Sequence, residues 1–151
     1  MDERPLKICV VCDEVANARS AEILITHVTP DLRCDRQIFR FDELSAPNRN
    51  IAVAREVAHS DILVLAARGD QLLPSHVRFW LGLCFCLRDE THQGALVALI
   101  PIVDGYEGLH SSLVDYLETI AIMGKVAFFP RKSSHRMDLP PQATDCEDQA
   151  T

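Results

Sequence analysis

The chain has 151 residues, enough for one domain to bury a sizeable core without disulfides or metal. Its hydrophobic share of 48% and charged share of 25% are ordinary for a globular protein, and a net charge of -7 with no cluster of Lys and Arg argues against nucleic acid or an anionic membrane surface as partner. No apolar run reaches the ~18 residues of a membrane span, and the opening "MDERPLK" carries charge where a signal peptide needs its apolar region, so the expected compartment is the cytoplasm.

In chain order, Leu6 to Cys12 is a continuous apolar run that reads as a central strand covered on both faces. A short polar segment follows, and then Ala21, Leu24, Ile25 and Val28 recur at helical spacing with Asn17, Arg19, Glu22 and Thr26 opposite, as in an amphipathic helix lying on a sheet. Gln37 to Phe41 alternates, which predicts an edge strand with one wetter face. A second helix is expected over roughly Asn50 to His59 and a third strand over Asp61 to Ala67. From Ser75 to about Glu90 a helical segment has almost no polar side, the pattern of a helix buried on two sides. Ala95 to Val103 reads as a fourth strand, Leu109 to Met123 as a helix with Leu113, Leu117 and Ile120 inward and Gly124 closing it, and Lys125 to Phe129 as a fifth strand. Beyond Pro130, "RKSSHRMDLPPQATDCEDQAT" is polar and without period, so residues 131–151 read as a disordered tail after a domain of residues 1–130.

Strands alternating with helices through short turns give a parallel sheet with right-handed crossovers. Five such strands most often take the order 2-1-3-4-5 of the flavodoxin-like three-layer α/β fold, whose ligands sit at the carboxyl edge of the sheet. The expected core includes Cys9, Val11, Leu63, Leu65, Leu99 and Phe128. No fifth helix is legible, which leaves one sheet face thinly covered.

Six cysteines form no metal or disulfide framework. Cys9 and Cys12 lie three apart in a strand and point to opposite faces, while Cys84 and Cys86 lie two apart in a helix and diverge. Buried thiols acting as small hydrophobes are the expected reading. The six histidines show no ligand spacing, and no nucleophile–base pair can be read.

"SDILVLAARGDQLLPSHVRFWLGLC" and "GALVALIPIVDGYEGLHSSLVDYLETIAIMGKVAFFP" resemble the NADPH-dependent FMN reductase family over roughly Lys7 to Pro130. The likeness is one of order and spacing: Ala66 to Pro74, Trp80, Gly105, Gly108 and Met123 to Pro130 occupy the family's places. It implies FMN on three loops, with Asn17, Arg19 and Ser20 in the first, Arg68, Gly69 and Asp70 in the second, and Asp104, Gly105 and Tyr106 in the third. NADPH would supply the hydride, and the helices of residues 75–90 and 109–123 would pair two copies into a homodimer. The departures fall on those loops. The first carries Asp13 and Glu14 where the family is rich in Ser, Gly and Arg, and two carboxylates repel a dianionic phosphate by several kcal/mol when desolvated, on the order of Coulomb's law at intermediate dielectric. The second, Ala67-Arg68-Gly69-Asp70, lacks the family's aromatic, leaving Tyr106 as the only ring available to stack on a flavin.

Three functions from different classes follow. One is a flavin-binding oxidoreductase with no metal; catalytic residues cannot be named from the pattern. Another is a pseudo-receiver, since an acidic pair after the first strand suits Mg²⁺, although Ala66 and Ala67 stand where a phosphoacceptor Asp belongs. The last is a flavodoxin-like domain without cofactor that works through binding a protein.

Overall fold

The computed structural model describes residues 5–28, 33–89 and 93–132, without the side chains of residues 15, 28 and 132. Five parallel strands, β1 (Leu6–Cys12), β2 (Cys34–Arg40), β3 (Ile62–Ala66), β4 (Ala95–Ile100) and β5 (Ala127–Lys132), form one sheet in the order β2-β1-β3-β4-β5. The helices are α1 (Val15–Val28), α2 (Pro47–Ala58), α3 (Ser75–Leu87) and α4 (Glu107–Met123), with a 3-10 helix over Phe41–Ser45. Architecture and strand order are those the sequence predicts. Residues 133–151, most of the expected tail and Cys146 with them, lie outside the described residues.

Alternation along each strand divides the apolar side chains into two cores. Cys9, Val11, Leu63, Leu65 and Leu96 face α2, α3 and α4, where Val53, Val57, Trp80, Leu81, Leu113 and Leu117 complete a large buried cluster and Phe128 packs half-buried against it. Ile8, Val10, Cys12, Val64 and Leu99 face the other way, against Ala18, Ala21 and Ile25 of α1. Among the described residues α1 is the only helix on that face. It lies over β1 and β3, so Phe129, paired in register with Val97 on the same side, stays 51% exposed. The thin cover expected from a missing fifth helix is therefore found over β4 and β5.

Several boundaries differ from the sequence reading for identifiable reasons. β2 begins at Cys34 because all seven of its residues pair with β1, and Phe41 leaves the sheet to start the 3-10 helix, in which Phe41 and Leu44 are buried three residues apart. α2 starts at Pro47 rather than Asn50, with proline in the first turn where its missing N–H costs nothing. α3 stops at Leu87, where Arg88 turns extended, and β4 stops at Ile100. β5 includes Pro130 and runs to Lys132, two residues past the expected domain end; an edge strand tolerates proline because one side of it has no partner to bond. Gly124 does cap α4, but with φ -86, and the left-handed residue is Lys125 at φ 60. What requires glycine at 124 is packing: a Cβ there would lie 2.8 Å from the Phe85 ring of α3.

α3 is also less enclosed than its composition predicts. Val77, Trp80, Leu81 and Cys84 form its buried stripe, while Phe79 is 69% exposed and Cys86 is exposed. The Trp80 ring is fully buried and its Nε1 has no partner among the described residues, as for a side chain held by packing.

Cys9 in the larger core, Cys12 in the smaller and Cys84 are buried thiols as expected, whereas Cys86 is at the surface, because it lies off the buried stripe of α3. Burial pushes the Cys9 and Cys12 thiols up to about 11 each, and raises Cys84 further. A thiol reagent at pH 8 should therefore label Cys86 quickly and Cys9, Cys12 and Cys84 only on unfolding, which peptide mapping after timed alkylation can check.

Candidate functional site

The carboxyl edge gathers the turns that leave β1, β3 and β4. After Cys12, the backbone N–H of Asp13 donates to the Ala66 carbonyl at 3.3 Å, which carries the chain one step past the sheet beside β3. α1 then begins, with Asn17 and Ala18 N–H groups donating to the Glu14 carbonyl at 3.0 and 3.1 Å. Such a strand-to-helix corner, at a helix N-terminus, is where an anion is normally held.

Here the anion belongs to the chain itself. One Asp13 carboxylate oxygen accepts from the Asn17 side-chain amide at 2.6 Å, and the other accepts from the Arg68 backbone N–H at 2.8 Å. The Arg68 guanidinium reaches Glu14 at 3.2 Å and grips Asp70 with two bonds, Nε at 3.0 Å and Nη2 at 2.7 Å. Those bonds hold the Asp70 carboxyl below its ordinary range, the hydrogen bond from Arg68 being the main cause, and they keep the Arg68 cation charged. Three carboxylates and one guanidinium thus tie the β1–α1 corner to the turn after β3. The ion pairs are solvent-exposed, so each contributes little alone; together they fix the geometry of the edge.

Gly69 is buried and tight. A Cβ there would stand 1.8 Å from the Pro101 carbonyl oxygen, so the β3 turn presses directly on the chain leaving β4. Nearby, His110 Nε2 lies 3.2 Å from the Ile100 carbonyl and pins the first turn of α4 to the end of β4; His76 Nε2, 2.9 Å from the Phe41 carbonyl, pins the start of α3 in the same manner.

Of the residues that the resemblance places around a flavin, Asn17, Arg68 and Asp70 meet at this corner and are bonded to one another or to Asp13 and Glu14. Gly69 lies beneath them. Arg19 lies with Glu22, Ile23, Thr26 and His27 around a depression on the outer side of α1, and the Ser20 hydroxyl donates back to the Ala16 carbonyl at 3.4 Å. Asp104 and Gly105 form the exposed turn before α4; Gly105 has φ 87 and donates its N–H to Glu107 at 3.4 Å, and Tyr106, 47% exposed, precedes the helix. Sequence reasoning found the two acids but not their partners, because residues 13 and 68 are 55 apart and no spacing reports such a contact. Among the described residues no group of three His, Cys, Asp or Glu side chains is set to hold a metal ion, and no helix is long and apolar enough to cross a membrane.

No family model matches the sequence, and no curated protein matches it. Solved structures do. A Streptococcus pneumoniae TIGR4 flavodoxin superposes with a TM-score of 0.56 at 15% identity, covering 84% of this chain and 83% of its own. The fold is flavodoxin-like. The Trp repressor binding protein from Bacillus subtilis is similar as well, with a TM-score of 0.53 at 13% identity, covering 82% of this chain and 80% of that one. Identities this low speak for the fold alone, so what the flavodoxin-like domain does has to be argued from its own edge.

The close approach at Gly69 has a direct consequence. Gly69→Ala must push the β3 turn away from Pro101, an overpacking cost of about 1–3 kcal/mol. Urea unfolding should show a lower midpoint at unchanged slope; an unchanged midpoint would contradict the contact.

Proposed function

We propose that this flavodoxin-like domain works without a tightly held flavin and acts by binding other protein surfaces. The observation that carries the reading is the Asp13 carboxylate, which the Arg68 N–H and the Asn17 amide hold as a fixed negative charge in the corner where a flavin phosphate would sit. A phosphate entering it would sit beside the Asp13 and Glu14 carboxylates, while the Arg68 guanidinium is already held by Glu14 and Asp70. The residues present therefore do not fit the group that the fold's relatives suggest. Of the other donors in that loop, Arg19 lines the depression on the outer side of α1 and the Ser20 hydroxyl donates to the Ala16 carbonyl.

The competing reading, an NADPH-dependent FMN reductase, draws its support from the fold and from Tyr106, the exposed aromatic at the entrance to α4. The pseudo-receiver reading loses the acidic pair on which it rests, because Asp13 and Glu14 are engaged by Asn17 and Arg68 rather than turned toward a shared cation.

Titration with FMN, followed by quenching of flavin fluorescence, separates these readings. The unmodified protein is expected to give no saturable quenching at micromolar concentration, while Asp13→Ser combined with Glu14→Gly, which removes both carboxylates and returns a hydroxyl and a backbone amide to the corner, is expected to gain binding. FMN that stays with the unmodified protein through purification would overturn the proposal.

A further inference from the structure

One face of the sheet is half bare. α1 lies over β1 and β3, so on that face β4 and β5 have no helix above them among the described residues: Val97 is half-buried, Phe129 is 51% exposed, and Ala127 and Arg131, on the same side of β5, are exposed. Two neighbouring strands are about 10 Å across, the width of one further layer element, and Arg131 is the only charge on this strip.

The chain supplies a cover at the right place. β5 ends at Lys132, one residue beyond Arg131, and residues 133–151 follow from there. Their sequence has no helical period, which argues against a fifth helix but suits an extended cover: Met137 and Leu139 are two apart and share one side of an extended chain, with Asp138 on the other. Pro140 favours an extended Leu139, and neither Pro140 nor Pro141 needs a ladder partner in a chain that crosses a sheet face instead of joining its edge. The link from Lys132 to Met137 reaches up to about 17 Å, enough to reverse direction and return over Phe129. Charge agrees with this path. Residues 125–132 carry Lys125, Arg131 and Lys132 and no acid, whereas residues 133–151 carry Asp138, Asp145, Glu147 and Asp148 against a single arginine, Arg136. Tethering favours it further, since a segment joined by so short a link acts at an effective concentration on the order of millimolar, at which a shallow apolar contact suffices.

We propose that residues 133–151 fold back across the open strip of β4 and β5, with Met137 and Leu139 on Val97 and Phe129 and the acidic stretch from Asp145 to Asp148 along the basic strand β5. The segment takes the place of a fifth helix without forming one. The proposal goes beyond the reading of the carboxyl edge and does not depend on it, because it uses none of the residues that meet at Asp13.

Nuclear Overhauser spectra of the full chain with ¹³C-labelled methyl groups test it. Contacts from the Met137 and Leu139 methyls to the Phe129 ring and the Val97 methyls are expected, and they should persist unchanged on dilution. Met137→Ser combined with Leu139→Ser should abolish them and shift the Val97 methyl signals. Neither residue belongs to the two buried cores, so the sheet is expected to survive the change. Absence of these contacts in the unmodified protein, contacts that fade on dilution as those to a second copy would, or Val97 signals indifferent to the double change would each overturn the proposal.

Discussion

One carboxylate organises the functional edge of this protein. Asp13 stands one residue past the end of β1, at the corner where α1 begins, and it accepts from the Asn17 side-chain amide and from the Arg68 backbone N–H of the turn after β3. Its bond to the Arg68 backbone fixes the turn after β3, and from that turn the Arg68 side chain reaches back to Glu14 and grips Asp70. The same turn is pressed from below by Pro101 against Gly69, so the ends of β1, β3 and β4 are held as one unit. An edge that bound an exchangeable anion would leave its donors open to water. Here the Arg68 N–H and the Asn17 amide are taken by the chain's own carboxylate.

The sheet beneath explains why so much ordering is possible with so little else at the edge. β1, β3 and β4 are apolar on both faces, and α2, α3 and α4 pack one face densely enough to bury Trp80 completely. Among the described residues, the other face depends on α1 alone. Asymmetric cover leaves Val97 and Phe129 partly in water on one side and an apolar stripe on the outside of α3 on the other. Edge protection is conventional: β2 carries Asp35, Arg36 and Arg40, and β5 carries Pro130, so neither edge invites another strand. Surfaces available for association are thus helical.

Much of the fold was legible because its signals are local. The limits of β1 were read to the residue, since a run of apolar and β-branched residues ends abruptly at a polar pair, and Cys9 and Cys12 fell on opposite faces because strand geometry leaves no alternative. The 3-10 helix at Phe41 was not legible: two apolar residues three apart at the end of an alternating strand look like more strand until the sheet's edge forces the chain to turn. In α3 the composition pointed to burial on two sides, but apolarity states only what a surface prefers, and among the described residues Phe79 remains 69% exposed. At the corner, the sequence showed two acids where a phosphate would be repelled; that Arg68 binds both of them depends on the approach of two turns distant in sequence. Glycine at 69, which the resemblance assigns to a flavin loop, is a packing requirement, which only the position of Pro101 reveals.

The central claim is that Asp13 already holds the donors of this corner. Amide spectra of ¹⁵N-labelled protein titrated with inorganic phosphate test it most directly. If the carboxylate keeps its two bonds, the Arg68 backbone and Asn17 side-chain signals should remain in place as phosphate is added, apart from the small uniform drift of ionic strength. Saturable movement of both signals in the unmodified protein would show that the corner is an open anion site and would contradict the account.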